Sequence, residues 1–117
     1  MGLSTHVLDT AHGCPAAGMA VTLSMLGQGQ AQLLKRVTLN ADGRSPDGPL
    51  LDGVAFQKGN YRLSFEVAAY YRARGLSLPE PAFLDVVHLD FGIASPEQHY
   101  HVPLLCTPWS YSTYRGS

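Results

Sequence analysis

Cysteine is scarce: only Cys14 and Cys106 occur in 117 residues. One pair does not make a disulfide framework in a chain this long. Cys14 falls in a predicted turn and Cys106 in a predicted strand. Neither lies in a recognisable nucleophile motif, so both read as incidental. Charge is scarce too. Eight Lys and Arg against nine Asp and Glu leave a net charge of −1, which gives no basis for electrostatic capture of nucleic acid or of an anionic membrane. No apolar run approaches the roughly 20 residues of a membrane-crossing helix. The N-terminal stretch lacks the basic segment and apolar core of a secretory signal. His6 stands where a myristoylation motif wants Ser or Thr, and Arg115-Gly116-Ser117 is not a Ser-Lys-Leu address. A cytoplasmic location is therefore expected. Internal repeats and low-complexity segments are absent.

Hydrophobic residues are plentiful at 45%. The length suits one domain, residues 1–117, with a core of its own. The apolar residues alternate in short runs. Thr5–Thr10, Met19–Leu26, Gln32–Leu39, Asn60–Val67 and Ala82–Phe91 read as strands, with two more between His99 and Tyr114. In the third run Leu33, Val37 and Leu39 are expected on one side. The stretch His12-Gly13-Cys14-Pro15 and the pair Asp42-Gly43 mark turns. Ser45–Gly53 reads as an irregular loop with a short edge strand at Pro49–Leu51. Glu66–Arg74 carries helix formers and stops at Gly75, which predicts one short helix of about two turns. Roughly seven strands and one helix imply a β-sandwich.

Reactive side chains concentrate at the C-terminal end, in HYHVPLLCTPWSYSTYRGS from His99 to Ser117. Histidine suits proton transfer, because its unperturbed pKa lies near 6.5. In a regular strand His101 shares a face with His99, Pro103 and Leu105, and His6 shares one with Ser4 and Leu8. By type and spacing alone, His6 is also a strand histidine with its hydrogen bonds met, and Arg44 a solvated loop arginine. The last residues read equally as a fraying end. A His-x-His pair on one face also suits two zinc ligands, which would require a third from elsewhere.

The ending YRGS with HYHVPLL ahead of it resembles the signature of the 5-hydroxyisourate hydrolases, the transthyretin-related enzymes of urate breakdown. The opening LSTHVLDTAHGCPAAGMAV resembles the other end of that pattern, and ADGR at Ala41–Arg44 matches an internal motif. The resemblance runs from Leu3 to Ser117. It implies an all-β fold, a transthyretin-like Greek-key β-sandwich of about seven to eight strands with one short helix.

The resemblance further implies hydrolysis of 5-hydroxyisourate to 2-oxo-4-hydroxy-4-carboxy-5-ureidoimidazoline, on the route from urate to allantoin, by a cyclic amide hydrolase. His6, Arg44, His101 and Ser117 are the implied catalytic residues. His6, Arg44, Tyr114, Arg115 and Gly116 are the implied substrate-binding residues. No metal and no other cofactor is expected, which leaves His99 as a support or surface residue. The implied partners are the purine-derived substrate and three further copies in a homotetramer, a dimer of dimers, with neither nucleic acid nor membrane. An arginine fork fits planar oxygen acceptors and would hold a neighbouring histidine neutral. Gly116 would let the backbone approach a ligand closely. The alternative is a transthyretin-like carrier of a small ligand without catalysis. The proline-rich Leu76–Ala82, the strand residue His88 and the loop Ser45–Gly53 depart from the family pattern.

Overall fold

Alternation along each strand decides which side faces inward. In β1 (Gly2–Asp9), Leu3, Thr5, Val7 and Asp9 are buried while Ser4, His6 and Leu8 are half-buried. The same period of two runs through β3 (Ala20–Gly27), where Val21 and Leu23 point inward, and β6 (Gly59–Glu66), where Tyr61, Leu63 and Phe65 do. Burial of each such side chain contributes about 1.5–3 kcal/mol before the entropy of ordering it is counted. The computed structural model describes residues 1 to 116.

Two sheets face each other across this core. One holds β2 (Cys14–Pro15), β1, β8 (Tyr100–Cys106) and β9 (Tyr111–Thr113), in that order. Two-residue pieces, β2 (Cys14–Pro15) and β5 (Leu51–Asp52), pair with the two ends of β1 on its other side. The second sheet has the order β4-β3-β6-β7, with β4 at Gln30–Thr38 and β7 at Val86–Ile93. Strands β1 and β8 run parallel, from Leu3 opposite Tyr100 to Asp9 opposite Cys106. This pairing of the two ends of the chain sets the candidate site.

The fold class agrees with the expectation, an all-β sandwich with one helix, α1 (Val67–Ala73). Among the described residues nine strands stand where seven to eight were predicted, because β2 forms inside what reads as a plain turn. The edge strand predicted at Pro49–Leu51 appears shorter and shifted along the chain, as β5 at Leu51–Asp52. One expectation fails. Leu33 does not share a face with Val37 and Leu39. Leu23 pairs with Lys35 but Ser24 pairs with Leu33, so Leu34 is an extra residue in a bulge. One inserted residue reverses the alternation, and Leu33 is left 62% exposed while Val37 and Leu39 are buried. His88 lies exposed on the outer face of β7, and its Nδ1 is 2.7 Å from Ser64 Oγ. Among the described residues no helix is long and apolar enough to cross a membrane.

The inward end of β1 is tied to α1 by charge. Asp9 is fully buried and accepts from Tyr70 Oη and Tyr71 Oη, each at 2.8 Å, and from His12 Nδ1 at 2.6 Å. Burial pushes its carboxyl up, but hydrogen bonds from Tyr71, His12 and Tyr70 outweigh this and hold it below the usual carboxylate range.

Candidate active site

The parallel register places Ser4 beside His101 and His6 beside Pro103. All four point away from the second sheet, on the outer face of β1 and β8. Arg44 reaches this face through the turn ahead of it. Asn40 Oδ1 accepts from the backbone N–H of Asp42 at 2.9 Å and of Arg44 at 3.1 Å, which closes the loop on itself. Gly43 then lies flat against β1: Val7 N–H donates to its carbonyl at 2.9 Å. A side chain there would begin 2.5 Å from the Val7 carbonyl oxygen, and φ is +73°, so the position requires glycine. The next residue, Arg44, forms an antiparallel bridge with His6.

Gly116 bridges His101 in the same way. Its N–H donates to the His101 carbonyl at 2.7 Å, and His101 N–H donates back at 3.3 Å. The close approach expected of this glycine is to His101 itself. A Cβ added at Gly116 would lie 3.0 Å from His101 Cδ2 and 3.2 Å from its Cβ. On the other edge of the ring, His101 Nδ1 is 2.8 Å from Ser4 Oγ, which is also 3.0 Å from His99 Nε2. The ring is therefore held between Ser4 and Gly116. Partial burial, together with the charges of Arg44, His6 and His99, keeps His101 below the ordinary histidine value. This favours the neutral imidazole, the form able to accept a proton.

The structure thus brings together His6, Arg44, His101 and Gly116 from four separate stretches. Tyr114 and Arg115 turn elsewhere. They line a groove between β7 and β9 together with Phe91 and Tyr100. The Arg115 guanidinium stacks on Tyr100 at 4.0 Å from the ring centre and donates to the His99 carbonyl at 3.1 Å. Ser117 lies outside the described residues. Ser4 was not singled out from the sequence. Its signal was present in the parity that puts it on the face of His6, but the contact with His101 depends on the register of two strands 97 residues apart. Among the described residues no group of three or more His, Cys, Asp and Glu is arranged to hold a metal ion. His99 and His101 converge on the Ser4 hydroxyl.

A family model described as the HIUase/Transthyretin family matches residues 3–116. The 5-hydroxyisourate hydrolase of Ralstonia nicotianae is 58% identical over 115 residues, spanning 98% of this chain and 97% of its own. Among solved structures, an (S)-allantoin synthase superposes with a TM-score of 0.94 at 45% identity, over 99% of this chain and 43% of that longer one. Sea bream transthyretin in complex with thyroxine superposes with a TM-score of 0.85 at 30% identity, over 99% and 95% of the two chains.

Proposed function

Because the chain belongs to the HIUase/transthyretin family, we propose that it hydrolyses 5-hydroxyisourate to 2-oxo-4-hydroxy-4-carboxy-5-ureidoimidazoline, on the route to allantoin. The observation that carries this is the convergence of His6, Arg44 and His101 on one sheet face, with His6 bridged to Arg44 and His101 to Gly116. It acts as a cyclic amide hydrolase. Water loses a proton to the pair His101 and His6 as it adds to the ring carbonyl. The carbonyl oxygen gains negative charge, and the permanently cationic Arg44 stabilises it through paired N–H donors. Collapse of the adduct breaks the ring C–N bond, and the proton held by histidine passes to the departing nitrogen. The product keeps the new oxygen in its carboxylate.

In this reading Gly116 forms one wall beside His101, and no metal or other cofactor takes part. The enzyme works in the cytoplasm as a homotetramer, a dimer of dimers. Two features support assembly. The His6–Arg44–His101 face is half-exposed on one chain, with Arg44 itself exposed. Strands β7 and β9, at the margins of the two sheets, border one groove, and sheet margins of this kind invite pairing with another copy.

A carrier like the sea bream protein shares the fold, and fold alone does not separate the two activities. The polar set favours the enzyme, since binding an apolar ligand makes no use of a neutral histidine held beside an arginine. The test is to generate 5-hydroxyisourate with urate oxidase and follow its ultraviolet decay in isotopically labelled water. Acceleration in proportion to protein, with one labelled oxygen in the product carboxylate, is expected. Decay at the spontaneous rate with folded protein present overturns the reading.

A further inference from the structure

Ser4 lies between two imidazoles and has one proton to give. Its Oγ is 2.8 Å from His101 Nδ1 and 3.0 Å from His99 Nε2. A neutral imidazole carries its proton on one nitrogen and accepts at the other, and a serine hydroxyl donates once. Three arrangements satisfy both contacts. His101 Nδ1–H donates to Ser4 and Ser4 donates to His99 Nε2, or both of these bonds are reversed, or both imidazoles donate to the two Ser4 lone pairs. The choice fixes the far side of the His101 ring. In the first and third Nε2 carries a lone pair; in the second it carries a proton.

Several contacts hold this chain in place. Gly116 packs along the Cδ2 edge of the His101 ring, where an added Cβ would lie only 3.0 Å away. Arg115 donates to the His99 carbonyl at 3.1 Å and to Gln98 Oε1 at 3.2 Å, which anchors the other end. A permanent cation, Arg44, acts on the His101 ring. A cation favours a lone pair over an N–H at the nitrogen left free.

We propose that Ser4 is a positioning residue: it accepts from His101 Nδ1–H, donates to His99 Nε2, and so holds His101 in the tautomer whose Nε2 is a free base. This rests on the hydrolase reading, in which His101 takes a proton from water. His99 has a defined part in it, as the acceptor that keeps the Ser4 proton turned away from His101. The hydrogen bond at the second imidazole nitrogen setting which nitrogen is basic is a general device of histidine chemistry.

The test reads tautomers directly and does not depend on turnover. Protein labelled with nitrogen-15 in histidine, at neutral pH, is examined by two-bond nitrogen–proton correlation in wild type, Ser4→Ala, Ser4→Thr and His99→Phe. In wild type His101 should show a protonated Nδ1 and a bare Nε2, and His99 a bare Nε2. Ser4→Ala and His99→Phe should each give mixed tautomers at His101, and Ser4→Thr should restore the single form. In the decay assay Ser4→Ala should lose about 10- to 10²-fold in kcat with KM little changed, and Ser4→Thr should recover most of it. A protonated Nε2 in wild-type His101, or an unchanged His101 tautomer in folded Ser4→Ala, overturns the proposal. No acceleration by the wild-type protein would sink the hydrolase reading and leave the tautomer assignment resting on the spectra.

Discussion

The two sides of β1 carry two polar clusters with opposite characters. On the inward side Asp9 is sealed from solvent and takes hydrogen bonds from Tyr70, Tyr71 and His12. Its neighbours are equally committed. Burial, with the Asp9 contact, pushes the Tyr70 and Tyr71 hydroxyls up, and burial pushes the Cys106 thiol up to about 11. On the outward side, three residues earlier, His6 is half-exposed, and His101 is held by Ser4 and Gly116 along only part of its ring. A buried polar group whose partners are all supplied by its own chain fixes the fold. A group held in place but left with a free nitrogen is available to a substrate. Alternation along one strand separates the two roles.

Substitutions at the two clusters should therefore fail in different ways. The largest effect is expected at the outward cluster. His101→Asn and His6→Asn should each lose about 10²–10⁴-fold in kcat/KM, with melting temperatures near wild type. Asp9→Asn should do the reverse. It leaves buried tyrosine hydroxyls poorly matched and should cost roughly 2–4 kcal/mol of stability, read as a lower denaturation midpoint, while the folded fraction keeps its activity. The Asp9 carboxyl is lowered in the folded state. The stability it contributes is therefore present above the ordinary carboxylate value of about 3.9 and is lost as pH falls through the lowered folded value. Acid titration of wild type beside Asp9→Asn should show this dependence in wild type alone.

Gly116→Ala should have an intermediate effect. The added carbon meets the His101 ring at 3.0 Å, so the ring must shift. Activity should fall about 10- to 10²-fold with little change in melting. The smallest effect expected is a shift in a titration midpoint. Arg44→Gln removes a charge that helps hold His101 below the ordinary value, so a proton NMR titration should find the His101 midpoint raised. An unchanged midpoint would show that Arg44 does not act on this ring.

Much of this comparison was legible in the chain. Period-two alternation marked β1, β3 and β6, and it put His6 on the face of Ser4 and Leu8. The motifs around His6, Arg44, His101 and Gly116 pointed to residues that meet in the structure. The rest depended on geometry that alternation does not encode. The bulge at Leu34 turned Leu33 outward, against its parity with Val37. The partnership of Ser4 with His101 needed the parallel register of β1 and β8. The role of Asp9, at the end of THVLD, needed α1 to bring two tyrosines over the end of the strand. Tyr114 and Arg115 follow the motif in sequence, yet they turn toward the groove beside β7.

The most direct test sets wild type, His101→Asn and Asp9→Asn side by side at a temperature where all three are folded, and measures kcat/KM for 5-hydroxyisourate with the melting temperature of each. Wild type and Asp9→Asn should hydrolyse at similar rates with well-separated melting temperatures. His101→Asn should melt like wild type and leave the substrate to decay at its spontaneous rate. Full activity in folded His101→Asn would contradict the assignment of this sheet face as the site.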